Sequence, residues 1–278
     1  MVKTVSSNSD GLVSLVLWGL FSLVTVVSLW MLGDILLLGL DHLSLDFVIG
    51  EPADAGRNGG IAPLIVSTLL VLAVCMAVVI PVGLATALAI TEFLAPEGRW
   101  QATLLRSLDL LSAVPSIVFG LFGYAFFAIQ LGLGFSILSG GLALACMALP
   151  LFVRITASAL AMVPHSYRQA ADALAISRVS WCARILLPQS SSGIAAATIL
   201  SIGRSLAETA VLIFTAGYVM RMPDSLMDSG RTLAVHIYDL SMNVSGGDPA
   251  AGATSLVLVV ILVVLNLITR KVLPDRTF

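Results

Sequence analysis

Long apolar runs broken by short polar segments dominate the chain. Positions 12 to 40 are apolar apart from Asp34, and residues 41 to 60 then bring Asp41, Asp46, Glu51, Pro52 and Asp54 with several glycines. Residues 61 to 90 carry no charge, which as a straight helix would measure about 45 Å against a hydrocarbon core of about 30 Å. Tilt, or a kink at Pro81, is expected to absorb the excess. Glu92, Glu97, Arg99 and Arg106 lead into a third apolar stretch, 108 to 131, which contains Pro115, Gly120 and Gly123. Proline and glycine are tolerated in membrane helices when neighbouring protein satisfies the freed backbone groups. A fourth stretch covers 136 to 160, with Pro150 inside and Arg154 near its end; a fifth covers 192 to 217 and a sixth 252 to 269. The pattern predicts an all-α integral membrane protein with six transmembrane helices. Residues 1–60 read as an N-terminal helix with an external loop, 61–278 as the core, and 218–251 as a second, acidic external loop.

Composition agrees, at 58% hydrophobic, 11% charged and a mean hydropathy of +1.03. No soluble globular domain has these values. The net charge of −2 says little about partners, and nothing points to nucleic acid. The placement of the basic residues is more informative. Ten of the Lys and Arg residues fall on the side shared by both termini and three on the other, so the positive-inside rule puts both termini in the cytoplasm. After Lys3 the first apolar stretch has no clear small-residue cleavage site, which predicts a retained helix. Cys75, Cys146 and Cys182 show no metal-ligand spacing and are expected as reduced thiols.

The fifth stretch carries Arg204 and Glu208. An arginine near the centre of a membrane helix costs about 2.5 to 3.5 kcal/mol on insertion scales, so it is normally paired or faces water. At about 100° per residue the two side chains lie about 40° apart on one helical face. Gly193, Ala197, Ser201, Ser205 and Thr209 run beside them; Ile199, Ile202, Leu206 and Ile213 fall opposite. Such a helix is expected to turn its small, polar face toward protein or a water-filled path, making Arg204, Glu208, Ser201, Ser205 and Thr209 the candidate substrate pathway. Two readings stay open: an ion pair that locks helices, or an arginine whose forked donors meet a translocating anion.

Residues 161 to 190 interrupt the apolar pattern with Arg168, Arg178 and Arg184 against Asp172. Ser166 and Gln169 have capping-box spacing, which predicts a helix start there presenting Ala170, Ala171 and Leu174. Gln169-Ala170-Ala171, then Ala175, then Ile185-Leu186-Leu187-Pro188 after nine residues, resembles the E-A-A…G…I-x-L-P signature of ABC-importer permeases. SAVPSIVFGLFG at 112–123 and RSLAETA at 204–210 look like two segments of the phosphate-importer permeases, and TLAVHIY at 232–238 looks closer to their A-type (PstA) subunit.

The resemblance implies a type I ABC importer permease fold and a cytoplasmic coupling helix near 165–188. Gln169, Ala170, Ala171, Ala175, Ile185, Leu187 and Pro188 would then serve ATPase coupling. It also implies half of a phosphate pathway in the bacterial inner membrane, working with a second, C-type permease, two ATPase subunits and an extracytoplasmic phosphate-binding protein. Three departures stand out. Gln169 replaces the family's Glu, Ala207 replaces a Gly, and Ala175 replaces the Gly of the loop, where alanine in a positive-φ turn would carry a steric cost, so a different turn geometry is expected.

Other signals are weaker. Gly247 to Thr254 has the glycine spacing of a P-loop but Ala253 in place of the lysine, and it lies in the acidic external loop, so ATP is expected to be handled by another chain. His42, His165 and His236 are scattered over loops. No metal, cofactor or catalytic residue is expected. The alternative function is a stand-alone proton-coupled secondary anion transporter with Glu208 as the proton site, although no inverted repeat is visible. A non-transporting scaffold is the third reading.

Overall fold

Backbone N–H and C=O groups in hydrocarbon have no water to bond, so each apolar run closes its hydrogen bonds within a helix. The computed structural model describes residues 7–95 and 98–272; Lys3, Glu97 and Arg276, used above, lie outside the described residues. Helix α1 covers Ser7–Gly39. After it, Ser44 caps α2 (Leu45–Ile49), accepting from the Phe47 N–H at 3.1 Å, and a two-residue antiparallel ladder pairs β1 (Pro52–Ala53) with β2 (Asn58–Gly59). Helix α3 (Ala62–Leu88) runs through Pro81 and extends by a π turn over Ala89–Phe93. Helix α4 is Arg99–Ala113, and α5 is Ser116–Gly123 with a π extension over Tyr124–Gln130. Next come α6 (Ile137–Ala161), α7 (His165–Ala173), α8 (Arg178–Trp181) and, beyond a π turn at Cys182–Leu186, α9 (Leu187–Gln189). Helices α10 (Ser191–Leu206), α11 (Ala210–Ile213), α12 (Leu233–Met242) and α13 (Asp248–Val272) complete the described chain.

Among the described residues, Val13–His42, Ala62–Phe93, Ile137–Ala161 and Asp248–Val272 are each long and apolar enough to cross a membrane alone. The other two crossings predicted from the pattern are bent pairs. The third is not a single helix over 108 to 131, because α4 and the helix from Ser116 to Gln130 meet at 98°. Val114 is extended, as a residue before proline tends to be, and Pro115 has no N–H to continue the helix. The fifth is not a single helix over 192 to 217 either. A bend of 69° separates Arg178–Gln189 from α10, and α10 stops at Leu206 before resuming as α11. At about 1.5 Å per residue its 16 residues span about 24 Å, less than the hydrocarbon core. Hydropathy marked both crossings but was blind to their breaks.

Packing starts from α3 and α6. Between membrane helices the hydrophobic effect drives little, and close van der Waals contact through small residues does more. Gly83 of α3 lies against the fully buried Phe152 ring of α6, while Gly141 of α6 meets Val74 of α3. Cys75, Val79, Leu144, Ala148, Ala197 and Leu212 fill the same core. Helix α1 joins at one crossing, where Gly39 and Gly252 bring their backbones together; no Cβ fits at Gly39, and one at Gly252 would be tight. The P-loop-like glycine spacing around Gly252 therefore serves helix contact.

The segment 218–251, expected as loop, contains α12. Leu233, Val235, His236 and Leu240 of α12 are buried, and the Leu233 N–H donates to Thr68 Oγ1 of α3 at 2.9 Å. Its ten residues with mixed polarity gave no membrane-span signal. Only contact with α3 and α13 shows that this stretch belongs to the body of the protein.

Candidate functional site

Arg204 sits in the last turn of α10, and the helix ends two residues later. The exposed positions of α10 and its end are Ala196, Leu200, Arg204 and Ala207, one stripe at helical spacing. The face expected to line a path is packed instead. Ala197 and Ser201 are fully buried, Ser205 lies 3.7 Å from Cys75 Sγ of α3, and Gly193 abuts Ala159 of α6. Ile202 and Leu206, from the side expected to be greasy, are buried as well. Small residues here let α10 approach α3 and α6, which is why their periodicity resembled a polar channel face.

Arg204 and Glu208 do not pair. The ion pairs among the described residues are Arg154–Asp109, Arg168–Glu92 and Arg231–Asp239. With the helix broken after Leu206, the i,i+4 relation that would have joined the two side chains is lost. Glu208 Oε1 turns toward α11 and accepts from the Val211 N–H at 3.4 Å, and Thr209 opens that turn as its N-cap residue. Arg204 instead lines a cavity of about 180 Å³ with Leu111, Ser112, Val114, Phe119, Met147 and Leu151. The break between α4 and α5 thus places Ser112 beside the arginine. Nothing in the hydropathy pattern singled out Ser112, although it opens one of the two motif segments.

Asp109 of α4 bonds Arg154 of α6, whose guanidinium also donates to the Leu105 carbonyl at 3.2 Å. The pair ties α4 to α6 just below the cavity.

Between α6 and α10, α7 begins at His165, with Pro164 at the N-cap and no side-chain cap, so the Ser166–Gln169 capping box is not formed. Proline's fixed φ and the chain direction set by α6 start the helix before Ser166 can act. Helix α7 turns Ala171 inward, 4% exposed, against Ile90, Trp181, Cys182 and Leu186. Tyr167, Gln169, Ala170 and Leu174 face outward. Ile185 is half-buried, as are Leu187 and Pro188. Helix α7 ends in a left-handed cap: the Ile176 N–H donates to the Ala171 carbonyl at 3.0 Å and the Ala175 N–H to the Asp172 carbonyl at 3.0 Å. Ala175 has φ +53°, so the turn keeps the conformation that favours glycine rather than adopting a different one.

On the opposite side Arg231 holds the segment before α12. It pairs with Asp239 at 2.9 Å, donates to the Tyr218 carbonyl at 3.2 Å and stacks over the Tyr218 ring at 5.3 Å. His236 is fully buried beside it, and Gly56, at φ +90°, lies against its imidazole. Burial, then the Arg231 charge, push the His236 pKa down to about 4.

Residues 77–273 match the family model described as binding-protein-dependent transport system inner membrane component. This chain belongs to that permease family. The permease is 30% identical over 264 residues to a probable ABC transporter permease, YqgI, of Bacillus subtilis, with 90% of each chain covered. It is also 30% identical over 265 residues to the phosphate transport system permease protein PstA of Yersinia pestis, covering 94% of this chain and 86% of that one. Among solved structures, an inward-facing MetNI methionine ABC transporter aligns with a TM-score of 0.60 at 14% identity, over 79% of this permease and 95% of that chain. At that identity the likeness establishes the fold, the type I importer permease. The residues matched by the family model include the Arg204 cavity and the α7 loop, so both candidate sites belong to the shared core of this multi-pass membrane protein.

Proposed function

We propose that this permease forms one half of the membrane pathway of an ATP-driven phosphate importer. The observation that carries the reading is Arg204, a cation with no ionic partner among the described residues, lining a cavity where two helices break. A guanidinium stays charged in a low-dielectric path and offers forked donors to phosphate oxygens. Arg204, Glu208 and Thr209 line the path with Ser112, whereas Ser201 and Ser205 hold α10 against α3. The names of relatives such as PstA support phosphate as the anion.

The remaining roles follow from placement. Tyr167, Ala170 and Leu174, outward on α7, contact an ATPase subunit, with Gln169 beside them. Ala171, Ala175, Ile185, Leu187 and Pro188 shape the loop from within. A C-type permease completes the pathway, two ATPase subunits hydrolyse ATP, and an extracytoplasmic phosphate-binding protein delivers the anion. Both termini lie in the cytoplasm of a bacterial inner membrane. Residues 1–60 are an addition to the core of 61–278.

Reconstitution tests this. The chain co-expressed with its partners is expected to retain an ATPase subunit through purification and, in proteoliposomes, to take up radiolabelled phosphate only with ATP and the binding protein. Uptake by the chain alone, driven by a proton gradient, would establish the secondary transporter in its place.

A further inference from the structure

The cytoplasmic end of α3 carries a carboxylate that no part of the translocation reading uses. Glu92 lies in the closing π turn of α3, and its side chain is 8% exposed. One oxygen, Oε2, receives two donors from the cytoplasmic loop, Arg168 of α7 at 2.8 Å and the Trp181 indole N–H of α8 at 3.1 Å. Around them Ile90, Val153, Ala171, Trp181, Cys182 and Leu186 form a dry cluster. A charge-assisted contact in such surroundings resists opening, because separating it leaves a carboxylate buried without a partner.

Besides α6, which precedes α7 and lines the cavity with Met147 and Leu151, two routes connect α7 to Arg204. The onward covalent one runs through α8, the π turn and α9, then through the 69° bend before α10. A bend with irregular turns on one side absorbs displacement. The other runs through α3, which is unbroken from Ala62 to Phe93 and at Cys75 touches Ser205, the neighbour of Arg204. Below Glu92 the same turn holds α4, since Gln101 donates to the Ile90 carbonyl at 3.0 Å.

We propose that Glu92 is a positioning residue that locks the docking loop to α3, so that a push on α7 moves α3, and through it the Arg204 cavity, instead of bending the loop. The proposal rests on α7 being the ATPase-docking helix. Coupling here passes through packed contacts and one continuous helix between the two sites.

The test uses the assembled complex in proteoliposomes. Glu92→Ala is expected to retain the ATPase subunit and hydrolyse ATP within about twofold of wild type while uptake per ATP falls about tenfold or more, the equivalent of losing one buried charge contact. Glu92→Gln, which keeps an acceptor for Trp181 but loses the charge, and Trp181→Phe, which removes the N–H together with part of the buried ring, should each fall between. Spin labels at positions 172 and 82 should give a broadened distance distribution in Glu92→Ala, a readout that simple loss of stability in the loop would not couple to the uptake ratio. If Glu92→Ala fails to assemble, the Gln and Phe variants decide. Uptake per ATP near wild type in both, or in an assembled Glu92→Ala with an unchanged distance distribution, overturns the proposal. Leu174→Glu on the outward face of α7 separates the two ideas. If it retains a coupled ATPase subunit, the docking reading fails; if it loses the subunit while Glu92→Ala stays coupled, only the role of Glu92 fails.

Discussion

Replacing Arg204 by glutamine removes the cation from the cavity but keeps a shorter, polar side chain. Because Glu208 accepts from the Val211 N–H and makes no ion pair with Arg204, the substitution strands no carboxylate, and the complex is expected to assemble. The loss appears in transport. Two unit charges about 4 Å apart interact by about 4 kcal/mol at an effective dielectric constant of about 20, which is close to a thousandfold in rate if that attraction offsets the anion's desolvation at the barrier. Uptake of radiolabelled phosphate by proteoliposomes holding Arg204→Gln should fall to background while the ATPase subunit remains bound. Adding Glu208→Gln should restore nothing, and a double-mutant cycle on thermal stability should give a coupling of no more than about 0.5 kcal/mol, as for residues that do not touch. Arg204→Lys should recover part of the rate, since it keeps charge without the fork. Near wild-type uptake by an assembled Arg204→Gln complex would refute the anion role; rescue by Glu208→Gln would show that the two residues pair after all.

Other consequences are simpler to measure. Ala175 sits at φ +53°, where an L side chain costs about 1–2 kcal/mol, while glycine loses about 0.5–1 kcal/mol more conformational entropy than alanine on folding. Ala175→Gly should therefore raise thermal stability by about 0.5–1 kcal/mol, and a lowered melting temperature would contradict the cap geometry. His236 has its pKa lowered to about 4 from 6.5, so its burial contributes stability that is present above about pH 6.5 and lost progressively toward pH 4, in the limit about 3 kcal/mol. Melting temperatures between pH 7 and 4.5 should fall more steeply for wild type than for His236→Gln, and equal slopes would exclude the histidine. For topology, thiols placed at Asp54 and Asp228 should react with an impermeant reagent from outside and one at Val179 should not. Val179 is the right inside probe because Cys182, 6% exposed, stays silent by burial alone.

Four crossings were legible in the sequence because a bilayer demands about 20 apolar residues per helix, which Val13–His42, Ala62–Phe93, Ile137–Ala161 and Asp248–Val272 each meet alone, whereas the other two were marked without their breaks. The α7 loop stood out because its breaks and small residues fall at the spacing of a family signature, and Arg204 because an arginine in an apolar run has few physical excuses. What the tertiary structure decided was direction. Ser201, Ser205 and Ala171 carried the right composition for a path or a partner surface, but Ser201 is fully buried, Ser205 meets Cys75 of α3 and Ala171 turns into the α7 cluster, since small residues allow close helix contact as readily as they leave room for water. The Arg204–Glu208 pair rested on an unbroken helix, and periodicity contains no information on where α10 stops. Glu92, Arg168 and Trp181 were three unremarkable positions until folding brought one carboxylate oxygen between two donors from distant segments. His236 read as a loop histidine because the contacts around it include the distant Gly56 turn, which no local pattern links to α12.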